Sequence, residues 1–118
     1  MRAEDQIQAA IVAYVRAVAP RVIVYAIPNA SRRTQSGRAS NAVPGLLPGM
    51  PDLGLAIPDG RCAFIEVKTP KGKLSNNQKV ILARMDCFSI PYIVATGIDE
   101  VRVFLRFLGV ATREAATK

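Results

Sequence analysis

The chain has 118 residues, and half of them are hydrophobic, so a single domain with one core is expected. No apolar run approaches the roughly 20 residues that cross a bilayer, and the N-terminal stretch MRAEDQIQAA carries acids where a signal peptide is apolar. These features predict a soluble cytoplasmic protein. Cys62 and Cys87 are expected to be free and buried in a reducing compartment, and a disulfide between them is the alternative.

The formal net charge is +7, and most of it lies in the middle of the chain. Between positions 28 and 79 there are eight Lys or Arg residues against three acids. Such a basic stretch suits a polyanion, although a merely solvated surface explains the charge equally well. The chain has no histidine, which excludes histidine-based nucleases, Ser-His hydrolases and most catalytic zinc sites. An enzyme of this composition would depend on carboxylates, lysine and a hard metal ion.

Positions 3–18 are predicted to form a helix, because hydrophobic residues recur there at three- and four-residue spacing. Glu4 lies on the same apolar stripe, in the first turn, where the helix dipole favours an anion. Pro20 ends the helix, and the β-branched run 21–27 is a strand. The stretch 28–50 is polar, has little periodicity and carries three arginines, which is typical of a long functional or disordered loop.

Two apolar strands at 52–57 and 61–68 then flank a Pro-Asp-Gly turn and form a hairpin. Ser75 is a good helix N-cap, and Gln78 stands three residues later in capping-box spacing, so a helix runs from there to about Cys87. The rest of the chain is predicted to contain a strand at 91–96, a helix at 98–108 and a frayed tail at 109–118. This order predicts one domain, 1–118, in which helices flank both faces of a mixed sheet.

The hairpin register decides whether the charged residues Asp52, Glu66 and Lys68 meet, because successive residues of a strand point to opposite faces. A two-residue loop would turn Asp52 away from the other two. A three-residue loop at 59–61 would place Gly54 opposite Glu66 and Asp52 opposite Lys68, with Gly54 leaving space between the charges. We predict an odd-length loop or a bulge, which brings all three charges to one face.

Two carboxylates on one side of a sheet repel each other unless a cation lies between them, and Mg²⁺ prefers oxygen ligands. Asp52 and Glu66 could hold such an ion, with the backbone carbonyl of Ile65 or Val67 as a further ligand. The metal would stabilise a phosphodiester transition state, and Lys68 would orient or deprotonate the attacking water. The structural alternative is that Asp52 caps a turn while the other two charges mark the exposed end of an edge strand.

Pro51-Asp52 followed by Glu66-Val67-Lys68 resembles the signature of PD-(D/E)XK nucleases. More narrowly, nearly the whole chain resembles a stand-alone domain of the virus-type replication-repair nuclease family, VRR-NUC. The strings that carry the resemblance are EDQIQAAIVAYVR, PNASRR, PGMPDL and FIEVKTPKGKLSNNQ, together with the last strand and helix.

The resemblance implies a restriction-endonuclease-like α/β fold with an αβββαβ core and a phosphodiesterase site that uses Mg²⁺ or Mn²⁺. It implies that Asp52, Glu66 and the backbone carbonyl of Val67 hold the metal. Lys68 would be the catalytic lysine. Glu4 would be the acid of the first helix that completes the site, directly or through water.

The resemblance also suggests residues that contact the substrate. Gln78 resembles the family's glutamine near the active site, and its capping role is the alternative. Asn29 with Arg32 or Arg33 resembles a substrate-side asparagine and basic residue, but an Ala-Ser pair stands where glycines are often found, which leaves the choice of arginine open. The candidate DNA-binding residues are Asn29, Arg32, Arg33, Arg38, Lys71 and Lys73.

Small stand-alone relatives resemble Holliday-junction resolvases and are associated with homodimers that cut branched DNA, often in phages or prophages. The resemblance therefore implies a homodimeric, structure-selective DNA endonuclease of a bacterial or phage-infected cell, with no membrane partner. Two alternatives stay open. One is a restriction-type or general repair nuclease with the same chemistry, and the other is a non-catalytic nucleic-acid-binding protein with a vestigial site.

Overall fold

The computed structural model describes residues 2–28 and 43–114. Within these ranges the chain forms helices and strands close to the segments predicted from the sequence. In chain order they are α1 (Ala3–Val18), β1 (Ile23–Ala26), β2 (Leu53–Ala56), β3 (Cys62–Val67), α2 (Asn76–Cys87), β4 (Tyr92–Ala95) and α3 (Ile98–Phe107). None of these helices combines the length and the apolarity that crossing a lipid bilayer requires.

The strands form one mixed sheet in the order β1-β2-β3-β4. The first three strands make an antiparallel meander, and α2 carries the chain back so that β4 pairs parallel to β3. The predicted mixed sheet and the αβββαβ order of its core elements are confirmed. Because β2 enters and β3 leaves the hairpin at the same end of the sheet, the residues that flank these two strands meet there.

The helices cover the two faces of the sheet unequally. On one face, α1 and α3 enclose the main core, whose fully buried side chains include Ile11, Leu53, Leu55, Ile65 and Leu105. On the other face, α2 packs onto β3 and β4 through a smaller cluster of Ile81, Leu82, Met85, Phe64, Tyr92 and Val94. No helix of the described ranges covers the half of this second face that β1 and β2 form. This leaves Ile23 65% exposed.

The hairpin has an odd-length loop, as predicted, but its register differs from the predicted one by two residues. The loop is Pro58-Asp59-Gly60, because the N–H of Ile57 donates to the carbonyl of Arg61 at 2.9 Å. Gly54 therefore pairs with Phe64 instead of Glu66, as the ladder from Leu53↔Ile65 to Ala56↔Cys62 shows. The even shift preserves the face of every side chain, so the charges converge even though the predicted partners were wrong.

The thiols of Cys62 and Cys87 are free, as predicted, but both residues are exposed rather than buried. Cys62 is the first residue of β3, at the hairpin end of the strand, outside the cluster through which α2 packs on this face. Cys87 is the last residue of α2. Strand and helix ends are only partly packed, which a sequence pattern does not reveal.

The C-terminal segment is attached to the body of the protein as far as residue 114. The backbone N–H of Arg113 donates to the carbonyl of Val18 at 2.8 Å. The hydroxyl of Tyr14 donates to Glu114 at 2.7 Å, and Val110 packs against the main core. The fraying predicted from residue 109 onward is therefore wrong for 109–114, and positions 115–118 lie outside the described residues.

Gly49 fixes the chain that leads into Asp52. Its φ of +93° lies in the left-handed region, and a Cβ at this position would overlap the backbone carbonyl of Asn77 at the start of α2. Two independent constraints, one on the backbone and one on space, thus require glycine here. The close approach anchors the segment before β2 to the N-terminus of α2.

We expect Gly49→Ala to lower the free energy of unfolding by about 3 kcal/mol, because it adds left-handed strain and a backbone clash. The matched control is Gly45→Ala, since Gly45 also has a positive φ (+82°) but no atom within 4 Å of a built Cβ. That variant should lose only about 1–2 kcal/mol. Urea denaturation of both variants measures the difference, and equal losses would show that the contact with α2 carries no energy.

Candidate active site

Asp52 and Glu66 lie side by side at one end of the sheet. Asp52 directly precedes β2, Glu66 is the penultimate residue of β3, and one further step of the observed register places them opposite each other on the same face. Both are buried, with 4% and 1% of their surfaces exposed. Two carboxylates buried together cost free energy unless a positive charge or hydrogen bonds neutralise them. Such a pair is more typical of a functional site than of a structural one.

The same ladder step explains the proline before Asp52. By the alternation of the ladder, Val67 would exchange backbone hydrogen bonds with position 51, but Pro51 has no N–H to donate. The N–H of Val67 instead donates to Oδ2 of Asp52 at 2.8 Å, which holds that carboxylate in place. For the same reason, the carbonyl of Val67 has no N–H from position 51 to accept, and it faces β2 on the side of Asp52.

The two oxygens of Glu66 have different surroundings. Oε2 accepts a hydrogen bond from Nε2 of Gln78 at 2.8 Å and lies 3.6 Å from Nζ of Lys68. Oε1 is buried and has no hydrogen-bond partner among the described residues. A buried, unpaired carboxylate oxygen is rare in native proteins because its desolvation is uncompensated. This oxygen is therefore available to bind a cation or a proton.

Gln78 acts both as a helix cap and as a site residue. Its Oε1 accepts from the backbone N–H of Ser75 at 2.8 Å, and its own backbone N–H donates to the hydroxyl oxygen of Ser75 at 3.1 Å, so the predicted capping box is present. Because Oε1 is used by Ser75, the amide must turn its Nε2 toward Glu66. The start of α2 thus orients the carboxylate, and the alternatives of cap or site residue prove compatible.

Lys68 follows β3 directly, and its side chain is only 12% exposed. The turn closed by the N–H of Gly72 and the carbonyl of Thr69 folds back over it, so that Gly72 lies close to its aliphatic stem. The stem is covered while Nζ faces Glu66. The ammonium group therefore has little freedom, which favours a positioned charge over a solvated one.

The electrostatics of the site centre on Glu66. Burial raises the pKa of this carboxyl to about 8, the charge of Asp52 adds to the rise, and Lys68 acts in the opposite direction. The charge of Glu4 makes a smaller contribution that also raises the pKa. One lysine thus compensates only part of the cost of the paired acids.

Glu4 lies in the first turn of α1, close enough to act on Glu66 electrostatically. Within residues 2–28 and 43–114, no three His, Cys, Asp or Glu side chains lie close enough together to form a metal site, so Glu4 is not grouped with Asp52 and Glu66.

A cleft of about 330 Å³ opens beside Asp52, between α1 and the end of β1. Gln8, Ile27 and Leu46 also line it. Because the cleft reaches one carboxylate of an otherwise buried pair, it offers water and a phosphate group a route to the site.

A second groove, of about 340 Å³, lies beside the hairpin turn at the opposite end of the sheet. The acid in its lining, Asp59, is already paired with Arg61 at 2.7 Å. This groove contains neither member of the carboxylate pair and is separate from the site.

The candidate DNA-binding residues divide into two groups. Lys71 and Lys73 are exposed in the segment between β3 and α2, directly after Lys68. They therefore lie at the same end of the sheet as the carboxylate pair. The remaining candidates, Asn29, Arg32, Arg33 and Arg38, lie outside the described residues.

The sequence analysis overlooked two residues near the site. Gln8 lies one turn after Glu4 on α1 and lines the cleft. The sequence feature that could have identified it is its position four residues after an acid, on the same stripe of the helix. Tyr25 lies over Gly54. A glycine inside an otherwise apolar central strand could have indicated that another group approaches the strand closely there.

The residues present fit a hard divalent cation. Two adjacent carboxylates, an unpaired carboxylate oxygen and a carbonyl freed by Pro51 are all oxygen donors on one side of β3. Mg²⁺ and Mn²⁺ prefer such donors, and Mg²⁺ commonly keeps several waters, so few protein ligands suffice.

Comparisons with known proteins identify the family of the chain and support its fold. The VRR-NUC domain family matches residues 3–99, so the chain belongs to the VRR-NUC family. A solved structure entitled VRR_NUC domain superposes with a TM-score of 0.63 at 19% sequence identity, over 90% of this chain and 97% of that one, which supports the fold. No curated protein matches the chain. Membership of the family implies a nuclease-type function and a DNA partner.

In the absence of metal, we expect the free energy of unfolding to fall as the pH rises from about 4.5 to about 8. The folded state holds the Glu66 proton more tightly than the unfolded chain, because the pKa is raised to about 8, so ionisation favours unfolding. At about 1.4 kcal/mol for each unit by which the pKa differs between the folded and unfolded states, the loss should be on the order of 5 kcal/mol. Urea denaturation at a series of pH values in a chelating buffer measures it.

Glu66→Gln should remove most of this decline, since the amide oxygen can still accept from Gln78. Asp59→Asn is the matched control. Hydrogen bonds from the backbone and then the side chain of Arg61 lower the Asp59 pKa, so its effect falls below this pH window. A stability that is flat in the wild type, or a decline that persists in Glu66→Gln, would contradict the assignment.

Proposed function

We propose that this chain is a Mg²⁺- or Mn²⁺-dependent DNA endonuclease that hydrolyses phosphodiester bonds. The observation that carries the proposal is the buried Asp52–Glu66 pair, with Oε1 of Glu66 unpaired and Lys68 3.6 Å from the other oxygen. A structural pair would be expected to satisfy all its oxygens. This one keeps an acceptor available at a high energetic cost.

Asp52, Glu66 and the Val67 carbonyl would hold the cation, with Glu4 acting through water. When bound, the cation supplies charge neutralisation at the scissile phosphate and lowers the pKa of a bound water.

Each protein group then has a defined task. The N–H of Val67 fixes the orientation of Asp52, and Gln78 fixes that of Glu66. Lys68 orients the attacking water or stabilises the negative charge that develops on the phosphoryl oxygens. Its covered stem keeps Nζ in place before the substrate arrives, so little reorganisation is required during the reaction.

Lys71 and Lys73 would contact the DNA backbone, since they are exposed beside the site. Asn29, Arg32, Arg33 and Arg38 are proposed to extend this contact. Such residues bind phosphates and carry little sequence information. They would set affinity and register on the DNA.

We further propose that the protein acts as a homodimer on branched DNA, including four-way junctions, in the cytoplasm of a bacterial or phage-infected cell. In the described ranges every helix packs on the sheet, so they provide no separate module for reading bases. This favours selection of DNA by shape.

We expect Asp52→Asn and Glu66→Gln each to reduce cleavage by at least a thousandfold while the protein stays folded. Either change removes a charge on which cation binding depends. Asp59→Asn is the control, because that carboxylate lies at the hairpin turn, remote from the site. Cleavage of four-way, forked, flapped and linear DNA with and without Mg²⁺ provides the measurement.

Near-normal cleavage by either site variant would exclude the ligand assignment. Cleavage of linear DNA as efficiently as of four-way junctions would favour a general or restriction-type nuclease. Binding without cleavage in any divalent metal would identify a DNA-binding protein with a vestigial site.

Replacement of Lys71 or Lys73 by alanine should weaken DNA binding in moderate salt. Each lost phosphate contact should reduce the slope of log affinity against log salt by about 0.9 unit. Arg106→Ala is the control, since Arg106 is exposed on α3, over the opposite face of the sheet. Fluorescence anisotropy at several salt concentrations measures the slope, and an unchanged slope would place the DNA-binding surface elsewhere.

A further inference from the structure

The phenol end of the Tyr25 side chain lies directly over Gly54. The two residues are direct cross-strand partners in β1 and β2. A Cβ built at Gly54 would overlap Cζ and the hydroxyl oxygen of the tyrosine. Any residue other than glycine at this position would therefore displace the ring.

Glycine is required at position 54 by the lack of space for a side chain and not by the backbone conformation. Its φ lies outside the left-handed region, unlike that of Gly49 and Gly60. Glycine inside a strand weakens the strand, because it loses more chain entropy on folding and offers no side chain for packing. Gly54 is destabilising at this buried position of a central strand, but it provides the space that the Tyr25 ring occupies.

Packing alone does not explain this arrangement. Tyr25 remains 42% exposed, because α2 covers only the β3–β4 half of this face. Within the described parts of the chain its hydroxyl makes no hydrogen bond. A tyrosine ring that is held against Gly54 and is also 42% exposed to solvent is a preformed aromatic platform.

The platform adjoins the candidate active site. Gly54 is two residues after Asp52, and both lie on the same face of the sheet. The row of side chains at Gly54 and Tyr25 is therefore about 7 Å along the strand from the row at Asp52 and Glu66. Lys68, Lys71 and Lys73 stand at the same end of the sheet. An aromatic surface next to the proposed phosphate-cleaving site and its basic residues suits a nucleic acid, and the net charge of +7 favours a polyanion over a second, equally basic copy of the chain on this surface.

We propose that Tyr25 stacks on a nucleotide base next to the cleaved bond, a role that rests on the proposed nuclease function. In continuous duplex DNA the bases are stacked on each other, so a ring can reach a base only at a branch point, a flap or a strand end. Tyr25 is thus a specificity-determining residue that favours interrupted DNA over uninterrupted duplex.

The test compares binding of Tyr25→Leu and Tyr25→Phe to a fork and to an uninterrupted duplex with the same number of phosphates. Anisotropy without divalent metal avoids cleavage. We expect the leucine variant to bind the fork roughly 5- to 150-fold more weakly, the range expected for loss of one base–aromatic stack. Its affinity for the duplex should change less than twofold, and the phenylalanine variant should match the wild type on both.

Two controls separate stacking from a structural role. Tyr14→Leu alters a tyrosine on α1, over the opposite face, and should leave both affinities unchanged. An abasic site at the branch point should weaken wild-type binding to the fork and have no further effect on Tyr25→Leu. Equal losses on fork and duplex, or a changed monomer–dimer equilibrium without a changed fork preference, would overturn the proposal.

Wild-type cleavage with Mg²⁺ is measured in parallel. Cleavage with no effect of Tyr25→Leu on fork binding overturns the stacking role alone. A Tyr25-dependent preference for the fork without cleavage in any divalent metal supports stacking and overturns the nuclease function.

Discussion

The repulsion between two buried carboxylates, Asp52 and Glu66, is the constraint on which the rest of the site depends. Each has less than a twentieth of its surface exposed, and together they cannot both stay ionised without compensation. The protein supplies part of that compensation through the Val67 N–H, the Gln78 amide and the Lys68 ammonium group. One oxygen of Glu66 is left without a partner among the described residues. The described residues thus compensate the pair only in part, and in the proposed function a divalent cation supplies the rest.

The fold places this pair by simple means. An antiparallel hairpin with a three-residue loop brings the residue before β2 and the end of β3 to the same face. Pro51 withholds one backbone hydrogen bond, so the Val67 N–H is free to bind the Asp52 side chain. The capping box that starts α2 uses one end of Gln78 and directs the other end to Glu66. Local rules for turns, ladders and caps thus produce the geometry of the site.

Much of this organisation could be predicted from the sequence. The apolar stripe of α1 and the Ser75–Gln78 cap follow from short-range periodicity and hydrogen-bonding chemistry. The odd-length hairpin loop follows from the expectation that Asp52, Glu66 and Lys68 converge on one face. The exact register of the hairpin could not be predicted, because a shift of two residues keeps every side chain on its face and leaves the hydrophobic pattern unchanged. Alternation along a strand cannot distinguish such registers.

The dual role of Gln78 and the position of Tyr25 depend on contacts between elements far apart in the chain. Gly54 illustrates the limit: the sequence suggested that it leaves space between charges, whereas the space is filled by the ring of Tyr25. A glycine indicates that room is needed but not which group occupies it. The exposure of Cys62 and Cys87 likewise depends on how far α2 extends over the sheet.

The central claim is that a divalent cation completes the Asp52–Glu66 pair, and the most direct test is the melting temperature at pH 8 as a function of Mg²⁺ concentration. A cation that binds only the folded state stabilises it by about 2.7 kcal/mol at a hundred times its dissociation constant. The wild type and Asp59→Asn should therefore show a saturable rise in melting temperature, while Glu66→Gln, which starts more stable, should show none. A wild type that is insensitive to both Mg²⁺ and Mn²⁺, or an equal rise in Glu66→Gln, would contradict the account.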